Sequence, residues 1–98
     1  MFVVTLRYTA PLETIDELLP AHVEWLERHY ADGTLLASGR LVPRTGGVVL
    51  ARAADRAALD AVLAGDPFGR AGAAEYEVAE FVPSKAAAGL EALIEPAR

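Results

Sequence analysis

An α+β fold of the ferredoxin-like kind is what the sequence predicts, on three observations. Four stretches alternate apolar and polar residues as half-buried strands do. Two others carry apolar residues at three- and four-residue steps, as amphipathic helices do. They follow one another as β-α-β-β-α-β, an order that closes into one antiparallel four-stranded sheet.

The first strand is Phe2 to Tyr8, with Phe2, Val4, Leu6 and Tyr8 on one face and Val3, Thr5 and Arg7 on the other. Thr14 and Glu17 stand at capping-box spacing, so the first helix is expected to begin there. Its inner stripe reads Ile15, Leu18, Leu19, His22, Leu26 and then His29 or Tyr30. Pro20 interrupts that stripe, either as a kink or as the opening turn of the helix proper. Gly33 in "ADG" supplies a left-handed stop. Thr34 to Val42 and Gly47 to Ala53 read as the second and third strands, joined by the short "PRTGG" hairpin connection. Asp55 caps a second helix that runs to Gly65 with Leu59, Val62 and Leu63 inward. Asp66 to Gly72 is a connector, and Ala74 to Val82 is the fourth strand, closed by Pro83. A short terminal helix from Ser84, weakened by Gly89, forms a helical tail, and residues 1–98 make a single domain.

Composition narrows the function. A chain that is 53% hydrophobic and 23% charged is globular. Its net charge of -5 opposes nucleic-acid binding, and no run of basic residues offsets it. The absence of cysteine removes thiol nucleophiles and thiolate metal ligands. "MFVVTLRYT" is too short and too polar for a signal peptide or a membrane span, so a soluble cytoplasmic protein is expected. A core this small favours pairing into a homodimer.

His22 is the first candidate for chemistry. An imidazole titrates near neutral pH and suits proton transfer; a packed core histidine bonded to a carbonyl is the plainer alternative. His22 and His29 lie about two turns, or roughly 10.5 Å, apart along a helix, too far for one metal ion, so neither metal nor cofactor is expected. Asp66, followed by Pro67, reads as a helix N-cap. A carboxylate has two oxygens, so one can cap the backbone while the other accepts from a histidine and fixes its tautomer. Ser38, before Gly39, marks either a tight strand position or a ligand-orienting hydroxyl that can also bond His22. Arg40 offers a guanidinium for an anionic substrate. Phe68 and Trp25 are aromatic walls that can exclude water, while Tyr8 and Tyr76 read as core or dimer packing.

"PAHVEWLERHYADGTLLASG", "GGVVLARA", "AGDPFGRAG" and "AEYEVAEF" together resemble the YciI-like, or YCII-related, family over roughly Phe2 to Pro83. The carrying motifs are the P-x-H of Pro20 to His22, the small-residue triplet Ala37 to Gly39, and the D-P-F of Asp66 to Phe68. The resemblance implies a dimeric α+β barrel with a His–Asp pair at its site: His22 and Asp66 as catalytic residues, with Ser38 beside them. One branch of that family is similar to dehydrochlorinases of chlorinated hydroxyquinols, and more distant barrel relatives include muconolactone isomerases. The chain departs from the family pattern at Leu19, where relatives often carry arginine, and at Arg40, where they commonly carry proline. The expected function is cofactor-independent acid/base chemistry, of lyase or isomerase type, on a small oxygenated or anionic ligand bound by Ser38, Arg40 and Phe68. The alternative is a non-catalytic small-ligand-binding or accessory dimeric module.

Overall fold

Strand β1 (Phe2–Tyr8) sits at the centre of the sheet with Phe2, Val4 and Leu6 fully buried, as its alternation requires. A computed structural model describes residues 1–95 of the chain. Helix α1 (Leu12–Ala31) leads to β2 (Leu35–Arg40) and β3 (Gly46–Ala51). Helix α2 (Arg56–Leu63), the one-turn helix α3 (Pro67–Arg70) and β4 (Ala74–Glu80) follow. The sheet order is β2-β3-β1-β4 with every pair antiparallel, the ferredoxin-like order expected. Among the described residues, no helix is long and apolar enough to cross a membrane.

Helix α1 differs from expectation at its start. Thr14 lies inside it; the N-cap is Pro11, which uses no side chain and accepts Ile15 N–H on its carbonyl at 3.1 Å. The proline's fixed φ of -60° sets the chain for entry. Pro20 neither ends nor begins the helix: its ring stands on the exposed side, and the helix continues through it for 20 residues in all. Ile15, His22 and Trp25 form the buried stripe. Trp25 Nε1 donates to the Val62 carbonyl at 3.1 Å, tying α1 to the end of α2. Asp55 caps α2 as predicted, accepting from Ala58 N–H at 2.8 Å.

A bulge in β2 decides what the cavity sees. Leu35 faces Ala51 and Ala37 faces Leu50, so Leu36 is an extra residue on the β2 side. A side-chain period of two means that this one-residue shift turns the rest of the strand over. Ser38 and Arg40 thereby fall opposite Val49 and Gly47, on the face that carries the helices, while Ala37 and Gly39 turn away. Plain alternation from Leu35 would have reversed them.

The expected tail helix from Ser84 does not form: only a single 3-10 turn, Glu91–Leu93, is present. Pro83 and a left-handed Gly89 (φ 91°) bracket the alanine-rich stretch, and the turn itself buries no residue against the sheet. Arg52 holds this segment instead, donating to the Ala92 and Leu93 carbonyls and to the Glu95 carboxylate.

Candidate active site

The connection after α2 builds the acidic half of the site. Asp66 is the N-cap of α3, with Pro67 in its first turn. Its Oδ1 accepts the Phe68 N–H at 3.1 Å, which pins the carboxyl group over the start of α3. Helix α3 packs against α1, so His22 meets it there: Nδ1 lies 2.7 Å from the same oxygen. The pair is buried, with Asp66 0% and His22 8% exposed. A sequence separation of 44 residues closes into one hydrogen bond.

Because a carboxylate only accepts, the Nδ1 nitrogen carries the proton in this bond. The neutral ring then has its lone pair on Nε2. Phe68 stacks on the imidazole at 4.0 Å between ring centroids and 13° between planes, and Trp25 stands 5.6 Å away. These rings fix the imidazole plane.

The two oxygens of Asp66 divide differently from expectation. Backbone cap and histidine share Oδ1, and Oδ2 accepts a 2.6 Å hydrogen bond from the Tyr76 hydroxyl. Tyr76 thus does more than pack. Burial, reinforced by the bond to Asp66, pushes the Tyr76 phenol pKa far above its ordinary value, so the hydroxyl remains a donor. Alternation along β4 was enough to place Tyr76 on the inner face with Val78, but nothing local in the sequence pointed it at Asp66.

His22 opens on a cavity of about 170 Å³ between α1 and the sheet. Phe68 and Tyr8 wall one side, Leu19 and Val23 line the helix side, and Ser38 and Arg40 line the β2 side. Ser38 does not reach His22; its Oγ pairs with the Tyr30 hydroxyl at 2.6 Å. Trp25 braces the imidazole without lining the cavity. His29 stands apart from the site, its Nδ1 paired with Asp32 at 2.8 Å.

The subunit is thus a ferredoxin-like α+β fold with a buried His–Asp pair beside a cavity. The chain belongs to the YCII-related domain family, whose model matches residues 1–82. It is similar in structure to 5-chloro-2-hydroxyhydroquinone dehydrochlorinase from Burkholderia phenoliruptrix, solved in complex with 2,5-dihydroxybenzoquinone. That likeness has a TM-score of 0.69 at 20% identity and covers 83% of this chain and 93% of the other. No curated protein matches the chain.

Proposed function

We propose that the chain is a cofactor-independent acid/base enzyme of lyase or isomerase type, acting on a small oxygenated molecule. The observation that carries this reading is the 2.7 Å contact between Nδ1 of His22 and Asp66, on a ring whose other nitrogen is left for a ligand. Nε2 takes a proton from the substrate and returns it elsewhere, and Asp66 stabilises the imidazolium formed between those steps. Phe68 and Tyr8 offer faces to a flat ligand, and Arg40 offers positive charge to an oxyanion. Ser38, held by Tyr30, orients a ligand oxygen from the β2 side.

Size limits the substrate. A cavity on the order of 150 Å³ holds benzene, so about 170 Å³ suits one ring or a chain of similar bulk. The structural neighbour's ligand, 2,5-dihydroxybenzoquinone, is a molecule of that kind. Leu19, where relatives often carry arginine, leaves the helix side of the cavity apolar, so substrate charge is met from Arg40 across it.

We also infer a homodimer formed through the sheet face that the helices leave open. Val3, Val48 and Leu50 stay half-buried on that face.

The test is turnover of a panel of one-ring hydroxylated and quinonoid compounds and small hydroxy acids. A general acid/base contributes about 10²–10⁴-fold, so His22→Ala and Asp66→Asn should each lose rate in that range with folding intact. Full turnover in either variant, or binding without any product across the panel, contradicts the proposal; the latter outcome favours a ligand-binding module.

A further inference from the structure

We propose that Tyr76 is a third, positioning member of the site, which draws charge from Asp66 and so keeps the His22 imidazole neutral and ready to accept a proton. This inference rests on the acid/base reading of the His22–Asp66 pair.

Three donors converge on one fully buried carboxylate. Oδ1 is shared between His22 Nδ1 and Phe68 N–H, whereas Oδ2 meets only the Tyr76 hydroxyl, at 2.6 Å. The phenol reaches that oxygen by lying across α3 at Gly69. A Cβ at that position would stand 2.6 Å from the hydroxyl oxygen and 2.8 Å from Cε2. A side chain there would make the phenol shift.

Coupling between the groups is reciprocal. The carboxylate that keeps the phenol protonated is itself stabilised by it, most strongly when no other charge balances Asp66, that is, when the imidazole is neutral. Removing the hydroxyl leaves Oδ2 buried without a donor and concentrates negative charge toward Nδ1. Imidazolium becomes the easiest compensation, and His22 binds its proton more tightly. A base already protonated at working pH cannot act.

Other groups face the pair without duplicating this role. Tyr8 of β1 approaches Phe68 edge-on at 5.8 Å and makes no bond to Asp66. Arg40 lines the cavity from the β2 side. Arg70 of α3 and the Arg56–Asp60 pair of α2 line a separate groove on the far side of Tyr76. On α1, His29 reaches only the Trp25 ring and Asp32.

The experiment is an NMR titration of the His22 ring in the parent protein and in Tyr76→Phe, Gly69→Ala and Tyr8→Phe, with His29 as internal reference. In Tyr76→Phe the His22 midpoint should rise by about half to one pH unit, a three- to tenfold tightening of proton binding. Gly69→Ala, which pushes the phenol aside but keeps its hydroxyl, should move the midpoint in the same direction. Tyr8→Phe should leave it in place. A midpoint that is unmoved or lowered in Tyr76→Phe, or an equal rise in Tyr8→Phe, overturns the proposal; should Tyr76→Phe fail to fold, Gly69→Ala decides. The titration needs no substrate, so it separates this inference from the proposed function: a shift without turnover sinks only the latter, and turnover without a shift sinks only the former.

Discussion

Asp66 is the residue on which the site is built, since a helix cap, an imidazole and a phenol all end on its two oxygens. A charge with no exposure is tolerable only when its hydrogen bonds are complete, and among the described residues no buried side-chain nitrogen or oxygen lacks a partner. Half of this arrangement was legible in the sequence. The Asp-Pro step announces a cap, and His22 stands at a core-facing helix position. Tyr76 was not legible, because its meeting with Asp66 depends on how closely β4 passes α3. That meeting sets a pH prediction. The folded-state pKa of the Tyr76 phenol is raised from an ordinary value of 10.0, by burial first and the Asp66 bond second. The associated stability is therefore complete below about pH 10 and is lost as pH rises beyond it. Chemical denaturation between pH 8 and 11.5 should show a decline that is shallower in Tyr76→Phe; equal slopes in both proteins would contradict this.

At the scale of elements, the strands follow from alternation, α1 from its apolar stripe and α2 from its stripe and the Asp55 cap, but two features that aim side chains do not. One is the β2 bulge at Leu36, which turns Ser38 and Arg40 toward the cavity. A bulge adds one residue without changing the apolar pattern around it, so composition gives no warning. The other is Pro20, which suggests a break and yet sits within α1 because its ring faces outward. Helix continuity is what places His22 and Trp25 on one stripe. The β1–β3 pairing has its own requirement at Gly46, where a Cβ would collide with the Leu6 carbonyl. Gly46→Ala should therefore destabilise the fold toward the upper end of the about 1–3 kcal/mol typical of overpacking. Denaturant unfolding checks this; a loss below about 0.5 kcal/mol would mean the strands can part there at little cost.

The molecule as a whole exposes more surface than its size requires. A monomer of 10.4 kDa is expected to present about 5,400 Å², and this chain presents 5998 Å². The proposed dimer contact is the open side of the central strands, where Val3, Val48 and Leu50 are half-buried. Equilibrium sedimentation should give twice the chain mass, and Val3→Asp, on that face but outside the cavity, should give the single-chain mass with its secondary structure retained. A dimer that survives Val3→Asp would place the interface elsewhere. The expectation of a partner comes from chain length; the proposal of which face would meet it uses the register of β1 and β3.

How the imidazole is held decides what it can do, and one measurement reads that directly: ¹⁵N NMR of the His22 ring at alkaline pH, where it is neutral. Asp66 at 2.7 Å from Nδ1 predicts a single neutral tautomer, with the proton on Nδ1 and an unprotonated Nε2 whose signal moves when a one-ring ligand enters the cavity. A ring protonated on Nε2, or one averaging between the two forms and indifferent to ligand, would contradict it.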